Sequence, residues 1–121
     1  MVRIRLAALQ SALLASRNTY PHEFIGLFRE KQGVLEELIL APLAEYGRSH
    51  SSFSDFHLPP DPSLSATLHS HPNGVLQPSR QDLRFFSAKG KWHFIAGYPY
   101  RLQDVACYDQ EGTRVAVEVV A

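Results

Sequence analysis

Cysteine is nearly absent from this chain: Cys107 stands alone among 121 residues. One thiol cannot close an internal disulfide, which sets aside the small disulfide-stapled scaffolds and favours a reducing compartment. Net charge is absent as well. Twelve Lys and Arg balance twelve Asp and Glu, so no bulk field draws the chain to nucleic acid or to an anionic membrane surface. No apolar run approaches the ~20 residues that span a bilayer. The opening Met1-Val2-Arg3-Ile4-Arg5 lacks the apolar core and small-residue cleavage site of a signal peptide. Repeats and low-complexity tracts are missing too. These absences lead to the expectation of a soluble cytoplasmic protein, one domain over residues 1–121, with no nucleic-acid and no membrane partner. The 45% of hydrophobic residues suffices for an ordinary core.

The pattern that is present mixes helices among strands. Leu6, Leu9, Leu13 and Leu14, padded by Ala7, Ala8, Ala12 and Ala15, predict an amphipathic helix over residues 6–17, ended by Asn18 through Pro21. Glu23 to Phe28 reads as a buried strand, Lys31-Gln32-Gly33 as a turn, and Val34 to Leu40 as the returning strand. Leu35, Leu38 and Ile39 also fit a helix, but the short run and the turn beside it favour a hairpin. Residues 42–62 are polar and irregular, with a short strand possible at 53–56, and read as a surface flap. Strands at 64–71, 92–96, 102–108 and 114–120 and a helix over 79–88, stopped by Gly90, complete the pattern, with Gln110-Glu111-Gly112 as the last hairpin turn. The expected class is α/β, or an α+β sandwich around one sheet.

One stretch carries chemistry. His69-Ser70-His71-Pro72 is followed by Ser79-Arg80-Gln81-Asp82. In an extended segment, positions i and i+2 point the same way, so His69 and His71 converge on one point before Pro72 stops the strand. Two imidazole nitrogens and the Asp82 oxygen form the three-ligand set of catalytic zinc, whose fourth position stays open to water. A His-x-His pair alone is more often incidental. Asp82 at a fixed reach, the small Ser70 and Pro72 turn the reading toward metal. Ser79-x-x-Asp82 is also a helix-capping box. The two readings are compatible, since a cap would hold Asp82 and the Ser79 hydroxyl rigidly beside the metal.

Taken together with Pro21-His22-Glu23-Phe24-Ile25-Gly26 upstream, these residues resemble the signature of the JAMM (MPN+) metalloprotease family, in its small archaeal-type form. The resemblance runs from the N-terminal helix to Val120. It implies an MPN-type mixed central sheet flanked by helices, and one Zn2+ bound by His69, His71 and Asp82. By the same resemblance Glu23 is the general base and Ser79 the donor to the oxyanion. Family enzymes cut isopeptide or peptide bonds after the tail of ubiquitin or ubiquitin-like proteins, so such conjugates are the implied partners. Without the family, Glu23 reads as an exposed carboxylate at a strand end.

Two other functions remain open. One is a peptidase that trims the C-terminus of a sulfur-carrier protein, with the same chemistry and a different leaving group. The other is a non-catalytic MPN scaffold, which would be expected to have a broken ligand set. Among the remaining residues, His22, His50 and His57 read as surface histidines and His93 as a core or sheet histidine. Cys107 reads as buried and inert, Tyr98-Pro99-Tyr100 as a turn with aromatic packing, and residues 73–77 as a wall beside the ligands.

Overall fold

The computed structural model describes residues 1–40, 62–88 and 90–121. The expected strand at 53–56, His50, His57 and nearly all of the flap lie outside them. Along the described residues run β1 (Val2–Arg5), α1 (Leu6–Thr19), β2 (Ile25–Lys31), β3 (Val34–Leu40), β4 (Leu64–His71), α2 (Arg80–Ala88), β5 (Trp92–Gly97), β6 (Val105–Tyr108), β7 (Arg114–Val115) and β8 (Val117–Val120). None of their helices is long and apolar enough to cross a membrane.

The eight strands form one mixed sheet in the order β7-β6-β5-β4-β2-β3-β1-β8. The β2–β3 hairpin is antiparallel, and its turn places Gln32 and Gly33 at φ of 54° and 80°, a conformation that glycine adopts without steric cost. This decides between the two readings of residues 34–40 in favour of the strand. β1 has no counterpart in the sequence reading. It pairs in parallel with β3 and β8, partners some 30 and 115 residues away in sequence, and it runs into α1 with no turn to mark it.

Residues 114–120, expected as one strand, divide at Ala116. The first part pairs with β6 and the second with β1, while the Ala116 carbonyl accepts the Val2 amide at 2.9 Å. One bent segment therefore serves both ends of the sheet, which curls around α1. The buried face of α1 is Ala8, Leu9, Ala12, Leu13 and Ser16. It packs in one cluster with Val2, Ile4, Phe28, Leu35, Leu68, Phe94 and Cys107. Burying a leucine in this way stabilises by roughly 1.5–3 kcal/mol. Leu14, counted in the apolar stripe from sequence, is 52% exposed and takes little part. The opposite face of the sheet is covered by Phe85 and Phe86 of α2, packed on Ile25, Leu27, Ile95, Ala106 and Tyr108.

β4 lies inside this sheet, antiparallel to β2 and parallel to β5, and is buried from Leu64 to Ser70. Its alternation sorts the side chains. Ala66 and Leu68 join the α1 cluster. Thr67 and His69 turn toward α2, where Thr67 Oγ1 meets His93 Nδ1 at 2.8 Å and the His69 ring lies 5.9 Å from that of Phe86.

Candidate metal centre

Three of the predicted site residues meet where the end of β4 faces the start of α2. His69 Nε2 lies 3.0 Å from Asp82 Oδ1, and His71 Nε2 lies 3.2 Å from Asp82 Oδ2. One ligand atom from each residue falls within 4.8 Å of the others. Tetrahedral ligands at ~2.0–2.1 Å from a zinc ion stand about 3.3 Å apart, which falls within that spread. Two neutral imidazoles and a carboxylate are also the donor types that zinc takes, so the cluster is compatible with one zinc ion.

Local structure fixes each of the three side chains. Asp82 is the third residue of α2, and the box foreseen from sequence is formed. The Ser79 amide donates to Asp82 Oδ2 at 2.8 Å, and the Asp82 amide donates to Ser79 Oγ at 3.1 Å. The cap uses a lone pair of the Ser79 oxygen, so the same hydroxyl can still donate its proton elsewhere. His69 is 1% exposed, walled by the Phe85 and Phe86 rings. Beneath it, His93 stacks on Phe86 at 4.4 Å. Burial and the neighbouring His69 push His93 down to about 4, so it adds no positive charge to the site near neutral pH.

The Nδ1 of His71 sits 2.7 Å from the Val75 carbonyl. A carbonyl can only accept, so Nδ1 carries a proton, and when the ring is neutral Nε2 is the basic nitrogen turned to the cluster. The loop that supplies this carbonyl is itself anchored. Gly74 and Tyr98 amides both donate to the His71 carbonyl, the Val75 amide donates to Asn73 Oδ1, and the Tyr108 hydroxyl donates to the Leu76 carbonyl. From sequence alone residues 73–77 read only as a wall. A backbone carbonyl leaves no signature in sequence, although the Asn73-Gly74 turn could have signalled a folded loop.

Charge distribution follows the geometry. Burial alone would raise the Asp82 carboxyl, but hydrogen bonds from His69, His71 and the Ser79 amide hold it well below the usual carboxylate range. It is ionised, as a ligand must be. Burial works against the charged form of His71, yet the hydrogen bond and charge of Asp82, the Val75 carbonyl and the charge of Glu23 raise it overall.

Glu23, His71, Pro72, Asn73, Ser79, Gln81 and Asp82 line one cleft of about 360 Å3. Four of the five residues singled out from sequence, Glu23, His71, Ser79 and Asp82, thus line one cleft, and the fifth, buried His69, meets it through Asp82, 3.0 Å from its Nε2. His22 is exposed, as foreseen, and Cys107 is fully buried, its thiol pushed up to about 12 by burial. Tyr98 and Tyr100 pack with Tyr20, the first stacked on it at 4.5 Å.

Comparison with known proteins places this geometry among relatives. Residues 6–109 match the Prok-JAB family, prokaryotic homologs of the JAB domain. A Haloferax volcanii protein named "Probable metalloprotease" is 34% identical, over 93% of this chain and 75% of its own length. The crystal structure of a JAB1/MPN domain protein from Archaeoglobus fulgidus superposes with a TM-score of 0.77 at 31% identity, covering 100% of this chain and 98% of that one. A structure described as a JAMM metalloprotease-like zinc site in the proteasome and signalosome gives 0.77 at 32% identity, covering 100% and 99%.

Proposed function

The chain belongs to the JAB family of metalloproteases, and from that premise we propose that it hydrolyses isopeptide or peptide bonds after the Gly-Gly tail of ubiquitin-like proteins. The observation that carries this reading is that two members of the His69, His71 and Asp82 cluster, His71 and Asp82, share one cleft with Glu23 and Ser79. In the proposal the first three bind zinc, Glu23 is the base and Ser79 the hydrogen-bond donor.

A zinc ion held by His69, His71 and Asp82 would supply Lewis acidity and make the attacking water a stronger acid near neutral pH. The protein does the rest. The Glu23 carboxylate takes the proton of the attacking water and returns it to the departing amine. The Ser79 hydroxyl donates to the oxygen that gains negative charge as the carbonyl carbon becomes tetrahedral. The α2 cap holds Ser79 and Asp82 in fixed relation, so neither has to be ordered during the reaction. The Phe85 and Phe86 rings exclude water behind His69.

A narrow tail suits the cleft. Substrate backbone must come close to the metal, between the Asn73 lip and the first turn of α2, and glycine brings no Cβ to clash there. The test is incubation of zinc-loaded protein with ubiquitin-like domains joined through Gly-Gly either to a lysine side chain or to a linear peptide. The expected result is slow cleavage after the second glycine, abolished by a chelator and restored by zinc. If the penultimate glycine is replaced by valine, kcat/KM is expected to drop sharply. Equal cleavage of both tails, or none of any Gly-Gly conjugate, rejects the substrate assignment.

A further inference from the structure

Where β2 meets the end of β4, a side chain takes the place of the main-chain ladder. The last regular pair is Ile25 opposite His69, and Phe24 faces Ser70 one step beyond. Antiparallel pairs alternate between those that exchange two N–H···O=C bonds and those that exchange none. Phe24 and Ser70 occupy a bonding position, and the Ser70 amide does donate to the Phe24 carbonyl at 2.9 Å. The return bond differs. The Phe24 amide donates to Ser70 Oγ, at 2.8 Å. Both residues are buried, Ser70 completely.

The substitution has a directional consequence. Ser70 alternates with His69 and His71, so its side chain lies on the α1 side of the sheet, beside the buried Tyr100. An acceptor there draws the Phe24 amide to that side. The preceding residue, Glu23, then falls on the other face, opposite His71 if the register is continued one step further. That is the face of the ligand cluster, and Glu23 lines its cleft.

We infer that Ser70 is a positioning residue for Glu23: its hydroxyl replaces a carbonyl as the acceptor that sets the direction in which Glu23 leaves the sheet. The inference rests on the proposed role of Glu23 as base. Ser70→Ala removes the acceptor and leaves the ligands in place; Ser70→Thr keeps a hydroxyl.

The experiment measures zinc content, kcat and KM on a Gly-Gly-linked fusion for Ser70→Ala and Ser70→Thr, each alone and combined with Glu23→Gln. A misplaced base loses between about 10- and 100-fold in rate. Ser70→Ala is therefore expected to bind zinc normally and to lose that much kcat with little change in KM, while Ser70→Thr recovers most of it. In the Glu23→Gln background Ser70→Ala should add nothing, because residues acting through one another are non-additive. Additive losses, or zinc lost in step with activity, overturn the inference. A second readout needs no turnover: amide exchange at Phe24 should quicken in Ser70→Ala while Gly26 and Leu68 stay protected. Unchanged exchange at Phe24 overturns the inference even if no conjugate is cleaved, and absence of cleavage by the wild type counts against the function alone. If Ser70→Ala does not fold, Ser70→Cys, close in volume and a weak acceptor, must give the same pattern.

Discussion

The Nδ1 of His71 and the carbonyl oxygen of Val75 stand 2.7 Å apart, on the side of the ring away from Asp82. That contact selects the tautomer whose Nε2 can bind metal, and it orients the ring before any metal arrives. The carbonyl is held where β5 ends. His71 lies opposite Gly97 in the parallel β4–β5 pair, and a Cβ on Gly97 would come within 2.9 Å of the Gly74 carbonyl and 3.0 Å of Leu76 Cδ2.

Gly97→Ala should therefore push residues 74–76 outward and loosen the Val75 contact. Loss of an outer-shell partner typically costs 10–100-fold in metal affinity, so zinc binding is expected to weaken by about tenfold or more. Competition against a chelator measures it. A zinc affinity equal to wild type in a folded Gly97→Ala protein removes the loop from the account.

This loop marks the boundary of what the sequence disclosed. His69, His71 and Asp82 were legible because alternation and a capping box are local rules, and local rules need only neighbouring residues. The box is formed as expected, and so is the turn at Gln32-Gly33. The support behind the ligands was not legible. Val75 acts through its carbonyl, which every residue has, and Ser70 through a bond to a residue 46 positions away. β1 escaped for the same reason, its partners being distant in sequence and parallel. The strand expected at 102–108 begins only at Val105, because Asp104 Oδ2 accepts the Arg101 amide and bends the preceding residues into a turn.

Removing a ligand and removing the base should give different signatures. His71→Ala and Asp82→Ala are expected to lose zinc, since three protein ligands leave no redundancy. Glu23→Gln should keep zinc and melting temperature while kcat falls by roughly 10²–10⁴, the scale of acid–base contributions. Near-normal turnover in Glu23→Gln would assign the base to another residue.

Ser79 carries two roles that substitutions can separate. Ser79→Ala should lose about 1 kcal/mol of stability with its cap and on the order of 10²–10³ in kcat with its donor. Ser79→Asp keeps a capping oxygen but has no hydroxyl. Thermal melting together with kinetics reads both; recovery of activity as well as stability in Ser79→Asp contradicts the donor role.

Cys107 should be irrelevant to turnover. Its thiol is fully buried and pushed up to about 12, so almost none is thiolate at neutral pH. Activity is expected to survive both alkylating reagents and Cys107→Ser. A large loss of kcat in a stably folded Cys107→Ser protein, or a trapped thioester, would replace the water mechanism with a covalent one.

The pH dependence of zinc stabilisation tests the site most directly, because protons and zinc compete for the same ring. In the metal-free protein the depressed Asp82 carboxyl contributes stability that is present above its unfolded value of ~3.9 and lost as pH falls through the folded one. The raised His71 contributes stability that is full below ~6.5 and lost as pH rises through its folded value. The ion pair thus stabilises the metal-free fold between about pH 4 and 6.5. His93, pushed down to about 4, has the opposite sign, its contribution being present above ~6.5 and lost toward 4. Zinc requires neutral imidazoles, so it must displace the proton that holds His71 to Asp82. The rise in melting temperature on adding zinc should therefore be small near pH 5.5 and grow through pH 8. Taking the difference between loaded and metal-free protein at each pH cancels His93, which is present in both. His71→Gln should show a small, nearly flat difference. A zinc-induced rise in wild type that is equal at pH 5.5 and pH 8 would mean that His71 does not give up a proton to the metal.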